Sequence, residues 1–411
     1  MAEPIVAALR KYVAVEGIVA LVATQFLFTA GISIWNPYLN IYFSSIGLSG
    51  LDIGLVSTLQ SAVSSLTMLP AGIIADRVGR KRPILFGFAL SFGYSLGLIV
   101  LRDYCLILLL ACIQGVGAGL RLPAVSAYIL DVVPERRGAA FATFHFFELL
   151  AMVSGTAAGA PLSKVLGYQA AFLTGAALIL ASGVFAFAKL KESMLPAKRE
   201  PGRSASVYSS FKDGIALMGQ TSILLLIAGS VVHQVATSFA IPYLGLYLSN
   251  VLVLDLVLVG VLMNARQIGD IFGQLPSGRL IDRFSAEVVL FLHVFLTAPI
   301  VYFFGANSDP YVLFLILLIW GSEAGWDIPS RRLLIARYSS GTGSATALGA
   351  VQSFIGLIAL PSPAIGGWIW DNLGPPLLFQ MSALVNAVAC IPLVVLVWRA
   401  RRGEEAKTRK G

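Results

Sequence analysis

The chain has 411 residues, 57% of them hydrophobic and only 12% charged, with a net charge of +8. Soluble domains carry about 25% charged residues, and a soluble fold of this size cannot hide so much apolar surface, whereas a bilayer is itself an apolar solvent. The positive charge does not point to nucleic acid, because Lys and Arg lie in short clusters between apolar runs and form no continuous basic face.

The first residues, MAEPIVAALRKYVAVEG, contain no short apolar core ending in a small-residue cleavage site. They are expected to be a cytoplasmic lead-in to the first span, not a removable signal. A transmembrane helix needs roughly 20 apolar residues. Twelve such runs are predicted, at 15–42, 51–75, 83–101, 104–131, 138–163, 168–189, 220–248, 255–278, 286–305, 311–333, 344–370 and 376–398. They are too long for strands and lack strict alternation, and lipid-embedded helices tolerate their internal Gly and Pro. Cys105, Cys112 and Cys390 match no disulfide or metal spacing and are read as small apolar residues.

After the sixth run comes the longest polar stretch, KLKESMLPAKREPGRSASVYSSFKDG. The expected organisation is an all-α membrane protein: a six-helix bundle over 1–189, a cytoplasmic linker over 190–219, a second six-helix bundle over 220–398 and a cytoplasmic tail over 399–411. Of the 29 Lys and Arg residues, 23 fall in segments that would share one side of the membrane, and only Arg102 and Lys164 on the other. The positive-inside rule then places both termini and the linker in the cytoplasm, in a multi-pass protein of the plasma membrane.

The two halves repeat each other. Pro37-Tyr38-Leu39-Asn40-Ile41-Tyr42 near the end of the first span returns 205 residues later as Pro242-Tyr243-Leu244-Gly245-Leu246-Tyr247. Leu69-Pro70-Ala71-Gly72, leading to Asp76-Arg77, returns 206 residues later as Leu275-Pro276-Ser277-Gly278, leading to Asp282-Arg283. Gly54 and Gly260, Gly115 and Gly321, and Pro123 and Pro329 share that offset. A run of matches at one spacing indicates a duplicated six-span unit, and parallel repeats of this kind place a solute site near the bilayer midplane.

The segment Gly72-Ile-Ile-Ala-Asp76-Arg77-Val-Gly79-Arg80-Lys81 resembles the Gly-x-x-x-Asp-Arg-x-Gly-Arg-Arg/Lys signature of the major facilitator superfamily, in the loop between spans two and three where that family carries it. The degenerate copy Gly278-x-x-x-Asp282-Arg283 follows span eight, and Arg121-Leu-Pro123-Ala with Pro134-Glu135-Arg136-Arg137-Gly138-x-Ala-Phe141 looks like the fourth span and following loop of many members. The resemblance implies two six-helix bundles related by a pseudo-two-fold axis, with a cavity between them. It also implies a latch on the cytoplasmic side, formed by Gly72, Asp76, Arg77, Gly79 and Arg80 with Asp282 and Arg283. The pattern is broken twice: Ala111 stands where the family has Arg before Gln114-Gly115, and Gly159-Ala160-Pro161 replaces the antiporter signature of span five.

On physical grounds Gly72 and Gly79 are expected to allow close packing and a sharp turn. Ionisable groups inside spans cost at least ~2.5 kcal/mol each unless paired or wet. This chain retains Arg121, Glu148, Arg266, Asp270, Glu323 and Asp327. Arg121 and Asp327 are repeat mates and are read as a gating pair, with Glu148 and Arg266 as a second pair. Glu323 and Asp327, four apart, share a helix face. Burial favours the protonated form of a carboxylate and a neighbouring Arg the charged form, so moving the Arg loads and unloads a proton. Glu323, Glu148, Asp270 and Asp327 are the proton-coupling candidates. His233 and Gln234 in span seven, Trp320 and Trp326 in span ten, and Tyr38 and Tyr243 are candidate cavity residues, the tyrosines serving equally as an interfacial aromatic belt. His145 and His293 rank below His233.

No Walker motif, metal-ligand cluster or nucleophile elbow is present, so no enzyme, cofactor or metal is expected. The expected activity is secondary active transport of a small organic solute by alternating access. Protons are the coupling ion, efflux is favoured over uptake, and the chain acts as a monomer in the lipid bilayer without nucleic-acid partners. The alternatives are a lipid or amphiphile flippase on the same fold and a solute receptor that does not transport.

Overall fold

The computed structural model describes residues 16–133, 137–193, 219–339 and 344–408, and these are helical apart from short connections. The helices are α1 (Glu16–Trp35), α2 (Gly50–Val78), α3 (Lys81–Val100), α4 (Tyr104–Val132), α5 (Arg137–Leu166), α6 (Tyr168–Lys189) and α7 (Thr221–Ala240). After these come α8 (Leu256–Phe284), α9 (Ala286–Ala306), α10 (Pro310–Ala324), α11 (Asp327–Tyr338), α12 (Ser344–Ala359), α13 (Ser362–Leu373) and α14 (Pro375–Thr408). Ten helical segments among the described residues are long and apolar enough to cross a membrane. The expected spans two and eleven are not among these ten. Span two is α2, which is rich in Ser and Thr, and span eleven is divided into α12 and α13.

Backbone chemistry sets the breaks. Pro37 and Pro242 lack the N–H that a continuing helix needs. Spans one and seven accordingly pass through short 3₁₀ turns, Asn36–Tyr38 and Ile241–Tyr243, before resuming. Spans ten and eleven, expected as continuous helices, are each interrupted, at Gly325–Trp326 and at Leu360–Pro361. Asp103 caps α4 by accepting from the Leu106 amide at 3.1 Å, and Asp309 caps α10 through Tyr311 and Val312. The α2–α3 connection turns at Gly79 with φ +95°, and its repeat counterpart Ser285 holds a left-handed φ of +73° without glycine's freedom.

The chain forms two compact units. The first comprises residues 1–48, 59–204 and 254–261, and the second 49–58, 205–253 and 262–411. In the first, α1 packs on α5 and α6, and α3 on α4 and α6. Leu21, Phe28, Phe88, Tyr128 and Ile179 lie in its core. In the second, α7 and α9 pack on α14 around Leu226, Leu290, Val294 and Leu393. Large apolar residues such as Phe187, Leu384 and Ile391 point outward, while Thr24, Ser95, Ser182, Thr297 and Asn386 are buried. This is the arrangement a lipid solvent imposes, because apolar burial offers no gain there and buried polar groups must bond internally. Ser182 donates to the Thr24 carbonyl at 2.8 Å, and Ser382 to that of Ala236 at 2.7 Å.

Candidate functional site

Four helices of the second unit bring polar side chains to one buried point. α7 contributes His233, α9 His293 and Thr297, α10 Glu323, and α14 Asn386, none more than 6% exposed. Asn386 Nδ2 donates to the Val294 carbonyl at 2.7 Å, which turns its Oδ1 toward His233 Nδ1, 2.7 Å away. His233 Nε2 faces His293 Nε2 at 3.1 Å, and His293 Nδ1 contacts Glu323 Oε2. Thr297 Oγ1 lies 3.0 Å from Glu323 Oε1.

A proton count follows from these contacts. The chain Asn386–His233–His293–Glu323 has three links, and each needs one hydrogen. Asn386 Oδ1 can only accept, and two neutral imidazoles supply one N–H each. The third hydrogen must be an added proton, shared between His293 Nδ1 and Glu323 Oε2. Without it, two lone pairs face each other at one link, and that link opens.

Close helix packing places charged groups beside this chain. A Cβ at Gly321 of α10 would collide with the Arg266 carbonyl of α8, and one at Gly273 with the Ser322 carbonyl. Backbone contact between α8 and α10 is therefore possible only with glycine at these positions. It sets the Arg266 guanidinium 5.4 Å from the Trp320 ring, where Asp270 and Glu323 act on it electrostatically. Asp270 accepts from Gln274 at 3.0 Å, and Gln234 donates to Ser238 at 3.2 Å. Asp327 pairs with Arg331 one turn along α11, through Nε at 3.0 Å and a second contact from Nη2. Glu323 and Asp327 thus answer to different partners on either side of the Gly325–Trp326 break. Trp326 is partly buried, and its Nε1 finds no partner.

In the first unit, Arg121 donates from Nη1 to Gln25 Oε1 at 2.8 Å, and its guanidinium carbon lies 4.3 Å from the Phe28 ring. Glu148 contacts His145 at 3.2 Å and is 26% exposed. Tyr38 and Tyr243 are fully buried, so the aromatic-belt expectation is corrected. Tyr38 donates to the Thr156 carbonyl at 2.6 Å, while Tyr243 Oη lies 2.9 and 2.8 Å from the carbonyls of Gly50 and Pro363.

The signature loop is partly as expected. Gly79 makes the turn, and Glu192 accepts from the amides of Arg80 and Lys81 at 2.7 and 3.2 Å. Arg80 Nε pairs with Asp131 at 3.2 Å, while Arg77, Asp282 and Arg283 are exposed. Among the described residues, a Cβ at Gly72 would meet nothing within 4 Å. The Asp76 side chain and linker residues 194–218 lie outside what is described.

Lys164, at the end of α5, pairs with Asp255 at 2.7 Å in the first unit. The bond from Lys164 holds the Asp255 carboxyl below its usual range. A lowered acid contributes stability above its ordinary value of 3.8, which is lost as pH falls through the lower folded value. The melting-temperature difference between wild type and Lys164→Ala is therefore expected to be constant near neutrality and to vanish under strongly acidic conditions. A difference that grows on acidification would contradict the pairing.

Sequence reasoning ranked His293 below His233 and passed over Asn386, Thr297 and Gln25. The available signal was the cost of a polar residue inside an apolar span, which applies to amides and hydroxyls as well as to charges.

Comparison with known proteins shows that the sequence profile of the Major Facilitator Superfamily matches residues 21–236 and 226–411. The chain is similar to multidrug resistance protein MdtG of Klebsiella pneumoniae, 25% identical over 88% of this chain and 90% of that one. It is also similar to the multi-drug resistance efflux pump PmrA of Streptococcus pneumoniae serotype 4, 24% identical over 89% and 92%. Among solved structures, the nucleoside transporter NupG superposes with a TM-score of 0.76 at 13% identity, covering 92% of this chain and 98% of that one. A point variant of NupG gives a TM-score of 0.79 at 14% identity.

Proposed function

The chain belongs to the Major Facilitator Superfamily and is a multi-pass membrane transporter, and we propose that it exports a small organic solute from the cell in exchange for protons, by alternating access. The observation that carries the coupling is the buried Asn386–His233–His293–Glu323 chain, whose three links require one proton beyond two neutral imidazoles. It links α7, α9, α10 and α14. Adding or removing that proton makes or opens a contact between helices, which is what a coupling device needs: a protonation event with a packing consequence. Arg266 of α8, which Asp270 in turn acts on, and Arg331 of α11 are charged groups that bear on it. The export direction is supported by the names of the relatives, a multidrug resistance protein and an efflux pump.

The test is transport in everted membrane vesicles of a fluorescent, monoanionic sulfonate dye, 8-anilinonaphthalene-1-sulfonate. Respiration acidifies the lumen of such vesicles, so export appears as uptake. Uptake that nigericin abolishes by collapsing the pH gradient is the expected result. Uptake that survives nigericin would overturn proton coupling, and dye moving only in the opposite sense would overturn export.

We also assign the linker and both termini to the cytoplasm, on the Lys and Arg distribution. A cysteine introduced at Ser206, in a variant lacking the three native cysteines, is expected to react with an impermeant maleimide only after the membrane is opened. Labelling in intact cells would reverse the orientation.

A further inference from the structure

We propose that the transported solute is a monovalent organic anion whose acid group is held in the first unit by Arg121 and Gln25. This rests on the transporter reading above and names its substrate class.

Arg121 stands in the middle of α4, inside a membrane span. No carboxylate lies within ion-pair distance of it among the described residues. Its one hydrogen-bond acceptor is the neutral Gln25 Oε1 of α1, and the ring of Phe28, three residues further along α1, backs the guanidinium. Because a guanidinium only donates, Gln25 must present its oxygen to Arg121 and turn its NH₂ away. Both Gln25 Nε2 and Arg121 Nε are buried without a protein partner. Every unmet group in this cluster is therefore a donor, and the cluster carries one positive charge.

The complement of two orphan donors and one cation is a group of acceptor oxygens with one negative charge: a carboxylate, a phosphonate monoanion or a sulfonate. Water could satisfy the hydrogen bonds but not the charge, which is costly in a low-dielectric bundle. Glu148 acts on Arg121 electrostatically, yet it is bonded to His145 and remains partly exposed. Arg121 itself keeps some accessibility, so the cluster lies at the margin of the bundle core. Phe28 stacks on Phe88 at 4.7 Å, which steadies the ring behind the guanidinium and leaves the guanidinium edge to donate to acid oxygens.

The experiment has two readouts on purified full-length protein. The first needs no ligand. A cation without a counter-charge predicts that Arg121→Gln, at low ionic strength, raises the melting temperature by several degrees. A fall of similar size would mean that Arg121 is a structural residue and would overturn the proposal.

The second readout is thermal shift against matched probes on one biphenyl frame: 4-phenylbenzoate, biphenyl-4-phosphonate and biphenyl-4-sulfonate, with 4-phenylbenzamide and 4-phenylbenzylamine as neutral and cationic counterparts. At least one acid is expected to stabilise wild type where the amide and amine do not. Its apparent Kd should rise at least tenfold in Arg121→Gln, rise less in Arg121→Lys, and stay unchanged in Arg102→Gln, which removes an exposed cation between α3 and α4. If Arg121→Gln does not fold, Gln25→Leu takes its place, with the same weakening expected. Equal response to acid, amide and amine, no response to any acid, or an acid that binds Arg121→Gln as tightly as wild type would each overturn the proposal. Binding that needs Arg121, in a protein whose transport ignores the proton gradient, would retain the anion site and reject only the coupling.

Discussion

Glu323→Gln is expected to abolish gradient-driven accumulation of substrate while leaving exchange across the membrane near the wild-type rate. The reason lies in the hydrogen count. A glutamine can donate from its amide to His293 Nδ1 and accept from Thr297 with its carbonyl, so all three links close without an added proton. The variant holds the proton-loaded geometry at every pH and has nothing to release. Exchange, which needs no net proton transfer, continues. The loss of accumulation should be roughly 100-fold, the scale on which removing an essential proton-transfer group acts. Accumulation that remains in Glu323→Gln and still depends on pH would reject the assignment and pass the role to Glu148.

Gly321→Val is expected to cost about 3 kcal/mol or more of stability and to prevent correct assembly of the second unit. Its side chain would have to occupy the space of the Arg266 backbone carbonyl, and backbone cannot yield as a flexible side chain can. The repeat mate behaves alike: Gly115 faces the Gln60 carbonyl and the Val63 side chain, so Gly115→Val should damage the first unit comparably. Gly72→Ala is the control, because among the described residues a Cβ there has no neighbour within 4 Å. Fluorescence size-exclusion profiles of the three variants would check this. A monodisperse Gly321→Val peak with wild-type melting would refute the close α8–α10 approach.

Much of this fold could be read from one chain because a membrane simplifies the problem. Apolar runs of span length have few alternatives to helices, and the constant spacing between Gly115 and Gly321, or Tyr38 and Tyr243, reports the duplication directly. The structure supplies the physical meaning of those matches: Gly115 and Gly321 admit a neighbouring backbone, and the tyrosines are buried with their hydroxyls bonded to carbonyls. Sequence also placed Glu323 among the carboxylates worth watching. It could not reveal that His293, thirty residues earlier, contacts it, because that contact depends on how α9 and α10 pack. The same limit explains Arg121. Repeat symmetry pointed to its mate Asp327, but not to the partner each has within its own unit, Arg331 for Asp327 and Gln25 for Arg121. Repeat symmetry relates backbones, while side-chain partners are chosen locally by whichever donor lies in reach.

The central claim is that one exchangeable proton joins His233, His293 and Glu323, and the chain's three histidines make it directly measurable. Protein labelled with ¹⁵N-histidine, reconstituted in lipid, would be followed by solid-state NMR as pH is raised. His145→Gln removes the one histidine outside the buried chain. The account predicts that His233 and His293 change together in a single step, as the shared proton leaves and one link opens, and that Glu323→Gln removes that step. Histidines that titrate independently, or a step unchanged in Glu323→Gln, would contradict it.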